Sequence, residues 1–397
     1  MFSARPGTGL WTTVGRSLAA PALALSVLMP GGCQTLSRPA FTYDDLAAAS
    51  PDIRMDFVGE TDRTRFKQSL RGAVASVSDG RFDLLALSGG GADGAYGAGV
   101  LTGWTARGDR PTFEVVTGVS TGALMAPFAF IGPEGDDELT RAFTDGRSDH
   151  LLQPRWAMAL AGPGFFRHRP LRQLVAASIT PEVLTRVAEA HRAGRRLYVA
   201  TTSLDTQGQV IWDMGAVAAS GDPHALDLFI DILSASASIP GVFPPVFMDL
   251  ERDGRRVREL HADGRTTANF FVAPERMMLD AALFPPPVEG ALRGRIWIAI
   301  NGRPEARFSV ASFSGMGVAG RGLDAMMKAS TRMNLVAASQ IARLNGLDLA
   351  VTMAPAGSGE NSLGFDRTRM TALFEQGRTD AGAGLAWRAY DGAADLD

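Results

Sequence analysis

Apolar and polar positions along this chain follow two different periods, and the switches between them outline its elements. The run Phe82-Asp83-Leu84-Leu85-Ala86-Leu87 is short and almost wholly apolar, as a buried strand requires. It breaks at Ser88-Gly89-Gly90-Gly91-Ala92-Asp93-Gly94 and gives way to helical spacing from Tyr96 to Ala106. Phe113 to Thr117 repeats the pattern, followed by Gly118-Val119-Ser120-Thr121-Gly122 and a very apolar helix from Ala123 to about Ile131. Upstream, the spacing predicts a helix over Arg63 to Val77. Downstream it predicts helices over Leu171 to Ala193, Leu226 to Ala237, Gly322 to Leu344 and Met370 to Ala381. Strand-like runs cover Arg196 to Thr202 and Gln209 to Asp213 around a Thr206-Gln207-Gly208 turn, and Val246 to Leu250 and Val257 to Leu260 around Asp253-Gly254. Arg295 to Ile300 and Asp348 to Met353 complete the strands. The strand–helix alternation predicts an α/β fold with a mainly parallel central sheet flanked by helices, with no internal repeat.

The N-terminal stretch breaks this grammar. Arg5 and Arg16 are its charges, and the apolar run Leu18 to Met29, broken by Pro21, has signal-peptide length and is short for a membrane span. Cys33, the single cysteine, follows Pro30-Gly31-Gly32 and excludes any intramolecular disulfide. The stretch resembles a bacterial lipoprotein signal, in which a cysteine after small residues becomes the lipidated N-terminus. That resemblance implies a signal peptide over 1–32, a lipidated tether and lead-in over 33–80, and one globular domain over 81–397. Gln34 in place of aspartate favours an outer-membrane anchor facing the periplasm. Pro30 departs from the usual leucine-like residue, so ordinary cleavage to a soluble secreted or periplasmic protein stands as the alternative.

Composition narrows the function classes. With 46% hydrophobic and 20% charged residues over 397 positions, the chain has ample material for a large core. Its net charge of −3 and the lack of any dense basic run argue against a nucleic-acid partner.

The two glycine-punctuated turns carry the candidate chemistry. Gly118-Val119-Ser120-Thr121-Gly122 fits the G-x-S-x-G turn that exposes a serine hydroxyl between a strand and a helix N-terminus. Gly89, Gly90 and Gly91 present backbone N–H groups with no Cβ in the way, which suits a hole for a developing oxyanion. Gly89, Gly91 and Gly94 also satisfy G-x-G-x-x-G, the dinucleotide fingerprint. That fingerprint expects an acid near the end of the second strand, whereas Glu114 stands at its start, so the dinucleotide reading is a minor alternative.

A serine nucleophile needs a proton acceptor. His224 and His261 are the histidines whose place after Ser120 suits a triad, and Asp263, in the strand-end turn Asp263-Gly264, is the other candidate. The order of a Gly-rich loop, G-x-S-x-G, the block Ser234 to Pro245 and a strand-end Asp-Gly resembles the patatin-like phospholipase family. The resemblance is strong over Phe82 to Gly264 and looser beyond. It implies a three-layer patatin-like fold and a Ser120–Asp263 dyad without histidine. It also implies oxyanion donors at Gly89, Gly90 and Gly91, no metal or other cofactor, and hydrolysis of lipid or other acyl esters. The family loop usually carries Arg or Lys where this chain has Asp93, and the missing cation favours a lipid acyl hydrolase over a phospholipase in the strict sense; the family's Asp-Gly is usually followed by Gly or Ala where this chain has Arg265. A non-catalytic envelope lipoprotein, acting as a binding or scaffold module on the same fold, is the alternative function.

Overall fold

The period-two alternation of Phe82–Leu87 divides two cores. Phe82, Leu84 and Ala86 enter one, Leu85 and Leu87 the other, because successive side chains of a strand point to opposite faces. The computed structural model describes residues 38–77, 79–153, 164–278, 283–284, 293–306, 308–357 and 362–390. The leader 1–32, Cys33, Trp156, Met158 and Leu160 lie outside them. Phe41–Asp397 forms one compact unit.

Its strands are β1 (Arg54–Met55), β2 (Phe82–Leu87), β3 (Val115–Val119), β4 (Arg196–Ser203), β5 (Gly208–Asp213), β6 (Val246–Arg252), β7 (Arg255–Asp263), β8 (Gly294–Ile300), β9 (Asp348–Met353) and β10 (Arg388–Ala389). Its helices are α1 (Tyr43–Ala49), α2 (Glu60–Ala75), α3 (Gly94–Arg107), α4 (Thr121–Ile131), α5 (Asp136–Thr144), α6 (His168–Ser178), α7 (Pro181–Arg192), α8 (Met214–Ala219), α9 (Ala225–Ser236), α10 (Gly315–Leu344) and α11 (Arg367–Gly382). The sheet order is β1-β5-β4-β3-β2-β8-β9-β10. β4, β3, β2, β8 and β9 run parallel; at one flank β5 is antiparallel to β4 and β1 antiparallel to β5, and at the other β10 is antiparallel to β9. Side chains of α2 and α10 fill the core on one face. Those of α3, α4, α9 and α11, among others, fill the core on the opposite face. This is the three-layer α/β arrangement with a mostly parallel sheet that the sequence predicts.

One departure from the pattern positions the site. β3 pairs with β4 from Val115↔Arg196 to Val119↔Ala200, and there it stops. β7 takes over the same edge of β4, antiparallel, from Thr201↔Asp263 to Ser203↔His261. β3 and β7 therefore share one slot of the sheet and run toward each other, so their C-terminal ends meet.

The predicted helix over Leu171 to Ala193 is two helices. Ile179 is extended, and Thr180 caps α7 by accepting the Val183 N–H, with Pro181 in the first turn where its missing N–H costs nothing. The predicted Asp253-Gly254 hairpin turn is present, with φ of 50° and 76° at its two residues. α10 starts at Gly315, earlier than its apolar spacing indicates.

Candidate active site

Ser120 stands between β3 and α4 with φ 55° and ψ −125°, a conformation few non-glycine residues adopt. The tight turn requires small neighbours: a Cβ on Gly122 would lie 2.3 Å from the Leu87 carbonyl oxygen. The strained backbone is held on both sides. The Ser120 N–H donates to Ser236 Oγ at 3.0 Å, and Ser236 Oγ donates in turn to the Ala200 carbonyl at 2.7 Å. The Ser120 carbonyl accepts the N–H groups of Ala123 and Leu124 at 2.8 and 3.2 Å, starting α4.

The meeting of β3 and β7 brings Asp263 to Ser120. Ser120 Oγ donates to Asp263 Oδ2 at 2.7 Å, across 143 residues of sequence. Asp263 Oδ1 accepts the Arg265 N–H at 2.8 Å, and the Asp263 N–H donates to the Ser238 carbonyl at 2.9 Å. Burial pushes the Asp263 carboxyl up to about 6; the Arg265 charge, its N–H and the Ser120 hydroxyl offset only part of that. A carboxylate there is a better proton acceptor than one in water.

The glycine loop does not act as a uniform triplet. The Gly89 N–H already donates to the Asn269 carbonyl at 3.0 Å, so the expectation that Gly89 serves as an oxyanion donor is corrected. The N–H groups of Gly90 and Gly91 make no hydrogen bond among the described residues. Gly91 has φ 59°, and a Cβ on Gly90 would lie 1.8 Å from the Asn301 carbonyl oxygen, so neither site accepts a side chain without moving the loop. Asn301 fixes the loop's start, its N–H donating to Ser88 Oγ at 2.8 Å and its Nδ2 to the Ser88 carbonyl at 2.7 Å.

Neither candidate histidine reaches Ser120. His261 is buried with Nδ1 at 2.9 Å from Thr201 Oγ1 and Nε2 at 2.9 Å from Glu259 Oε2, while His224 is exposed at the start of α9. Glu114, the misplaced acid of the dinucleotide reading, lies at the opposite end of β3 and accepts the Asp83 N–H at 2.7 Å. Asp93 is buried and paired with Arg369 of α11, a partner that sequence spacing gives no hint of. Arg265 is not a freely solvated residue: its stem lies along Gly89, where an added Cβ would come 2.1 Å from Arg265 Cδ.

Gly91 and Ser120 open onto a cavity of about 840 Å³, counting the open space at its mouth. Leu124, Phe128, Phe143, Leu174, Leu233 and Phe243 are among the side chains that line it, and almost all of its wall is apolar. Phe166 stands one ring behind this wall, its centroid 6.3 Å from that of Phe243, and Phe165 is exposed. Among the described residues, no group of three or more His, Cys, Asp or Glu is arranged to hold a metal.

Residues 85–275 match the family model described as Patatin-like phospholipase, a segment that contains the glycine loop, Ser120 and Asp263. That match spans the whole of the candidate dyad and glycine loop. No curated protein matches the chain. Among solved structures, the crystal structure of VipD from Legionella pneumophila is similar at 13% identity and a TM-score of 0.32, covering 79% of this chain and 68% of that one.

Proposed function

We propose that this protein is a serine-dependent lipid acyl hydrolase in which Ser120 is the nucleophile, Asp263 the base, and Gly90 and Gly91 the oxyanion donors. The observation that carries this reading is the 2.7 Å hydrogen bond from Ser120 Oγ to a buried carboxylate at the head of an apolar cavity. Ser120 Oγ attacks the ester carbonyl carbon as its proton passes to Asp263 Oδ2, and the oxyanion forms against the loop N–H groups. The carbon–oxygen bond to the alcohol breaks, and the alcohol leaves with the proton from Asp263. Water then attacks the acyl-Ser120 ester, gives its proton to Asp263, and the carboxylic acid departs as Ser120 Oγ regains that proton.

The acyl chain occupies the cavity, where its burial is favourable by about 0.8 kcal/mol per CH₂. The chain that carries this site is a lipoprotein anchored through Cys33 to the outer membrane, a proposal that rests on the leader sequence. A fluorophosphonate probe tests the chemistry: wild type labels covalently and Ser120→Ala does not. Absence of labelling in folded wild type favours the non-catalytic scaffold instead.

A further inference from the structure

α10 is apolar on two opposite sides. Leu335, Ala338, Ile341 and Ala342 pack into the core. Val318, Met326, Met333 and Val336 are exposed, and at 100° per residue they fall within about 80° of one another on the far side of the axis. From Val318 to Val336 this outer strip runs about 27 Å. The loop ahead of the helix extends it, with Phe308 at 92% and Phe313 at 103% exposure and Val310 beside them. Arg332 ties that loop to α10, its Nη1 donating to the Pro304 carbonyl at 2.6 Å. A core accounts for one apolar face of a helix and leaves the second unexplained.

We propose that the outer strip of α10 and the Phe308–Phe313 loop form a lipid-docking face that seats the protein on an anionic bilayer. Charge selects the occupant. Residues 303–332 carry five cationic and two anionic side chains, a net +3 in a chain whose total is −3. Aromatic and aliphatic side chains bordered by Arg and Lys are the composition of an interfacial helix, which buries its apolar side among acyl chains while its cations meet lipid phosphates. None of the described helices is long and apolar enough to cross a membrane, so α10 lies on the surface.

Its position adds a functional reason, which rests on the hydrolase reading. Asn269, whose carbonyl accepts the Gly89 N–H, is held from the other side by α10: Asn269 Nδ2 donates to Thr331 Oγ1 at 2.9 Å and its N–H to Asn334 Oδ1 at 3.2 Å. The docking helix is therefore one residue removed from the glycine loop. A bilayer bound to it would hold acyl esters against the helix that braces the glycine loop, independently of any anchor at Cys33.

The single cysteine makes a direct test simple. Phe313→Cys in a Cys33→Ser background carries one thiol, which takes an environment-sensitive fluorophore. With vesicles of equal parts phosphatidylglycerol and phosphatidylcholine the emission should shift to the blue, lipids brominated on their acyl chains should quench it, and phosphatidylcholine alone should give less. In parallel, the Phe308→Ser/Phe313→Ser double variant should hydrolyse vesicle-held ester about tenfold more slowly or worse, with an unchanged rate on a soluble short-chain ester. An unshifted spectrum with anionic vesicles overturns the proposal. So does a blue shift produced by unlabelled protein without lipid, which would make a second copy the occupant. If wild type hydrolyses neither ester, the hydrolase reading fails while the fluorescence still decides the docking face.

Discussion

Glu259 and Asp263 lie on the same side of β7 with His261 between them, and all three are buried, yet their surroundings drive the two carboxylates in opposite directions. Burial pushes Glu259 up, but His261 and Arg54 outweigh it and hold the acid well below the usual carboxylate range. Arg54 donates to it twice, at 2.8 and 2.7 Å. Burial also pushes Asp263 up, and among the described residues no side chain of opposite charge makes a hydrogen bond to it, so the acid rises to about 6. The first carboxylate is a fixed charge that fastens β7 to β1. The second is left able to take a proton. Burial alone does not mark a candidate proton acceptor; burial without a charged hydrogen-bond partner does.

The largest effect separating the two belongs to turnover. Ser120→Ala and Asp263→Asn should each lower kcat/KM on a soluble ester by about a thousandfold or more, while leaving the circular dichroism spectrum intact. More than about a tenth of the wild-type rate in Asp263→Asn would end the dyad assignment. Glu259→Gln should keep kcat within a few-fold once the folded fraction is accounted for, because it touches neither Ser120 nor the glycine loop.

Glu259→Gln should instead act on stability. It leaves the buried Arg54 without its bidentate partner, a loss of about 3–5 kcal/mol. Urea titration followed by tryptophan fluorescence measures it. A cost under about 1 kcal/mol would mean that solvent reaches this network, and that the contrast with Asp263 has been drawn too sharply.

These partners divide what is legible in the sequence from what is not. β2, β3, the Ser120 turn and the Asp263-Gly264 strand end are local signals of period and turn chemistry, and the structure places them as the residue pattern predicts. The break at Thr180-Pro181 was equally local, since a threonine cap followed by proline is a helix start, and apolar spacing on both sides obscured it. The engaged Gly89 N–H, Ser236 beneath the Ser120 backbone and Arg369 beside Asp93 are different. Each depends on a residue brought in by tertiary packing, the last from 276 positions away, and no spacing rule reaches that far. The outer strip of α10 escaped for another reason: amphipathic spacing looks for one apolar face, and this helix has two.

A smaller effect reverses the usual sign of an active-site mutation. The folded-state value of Asp263 is raised from 3.8 to about 6, so the folded protein holds this proton more tightly than the unfolded chain does. Wild-type stability therefore falls as pH rises through that window, and above about 6 the ionised, buried acid is a standing cost. Asp263→Asn removes it and should stabilise the fold at pH 7 by on the order of 2 kcal/mol. Differential scanning calorimetry should show the gain fading as pH drops toward 4. A variant less stable than wild type at pH 7 would mean that Asp263 is better solvated or better paired than its surroundings indicate.

The finest distinction lies in the acid limb of the rate profile. In the proposed mechanism Asp263 takes the Ser120 proton only when ionised, so kcat/KM should fall tenfold per pH unit below an inflection near 6. The positive charge of Arg265 is the largest influence holding that inflection down. Arg265→Gln removes the charge while keeping the backbone N–H that Asp263 Oδ1 accepts, so the inflection should move upward, with the rate on the high-pH plateau reduced much less than in Asp263→Asn. Arg54→Met makes the matched comparison, since it strips the charge from the Glu259 network and should lower stability without moving the acid limb. If Arg54→Met shifts the inflection and Arg265→Gln does not, the proton acceptor belongs to the Glu259–His261 end of β7. The division between a fastening carboxylate and a working one would then have to be reversed.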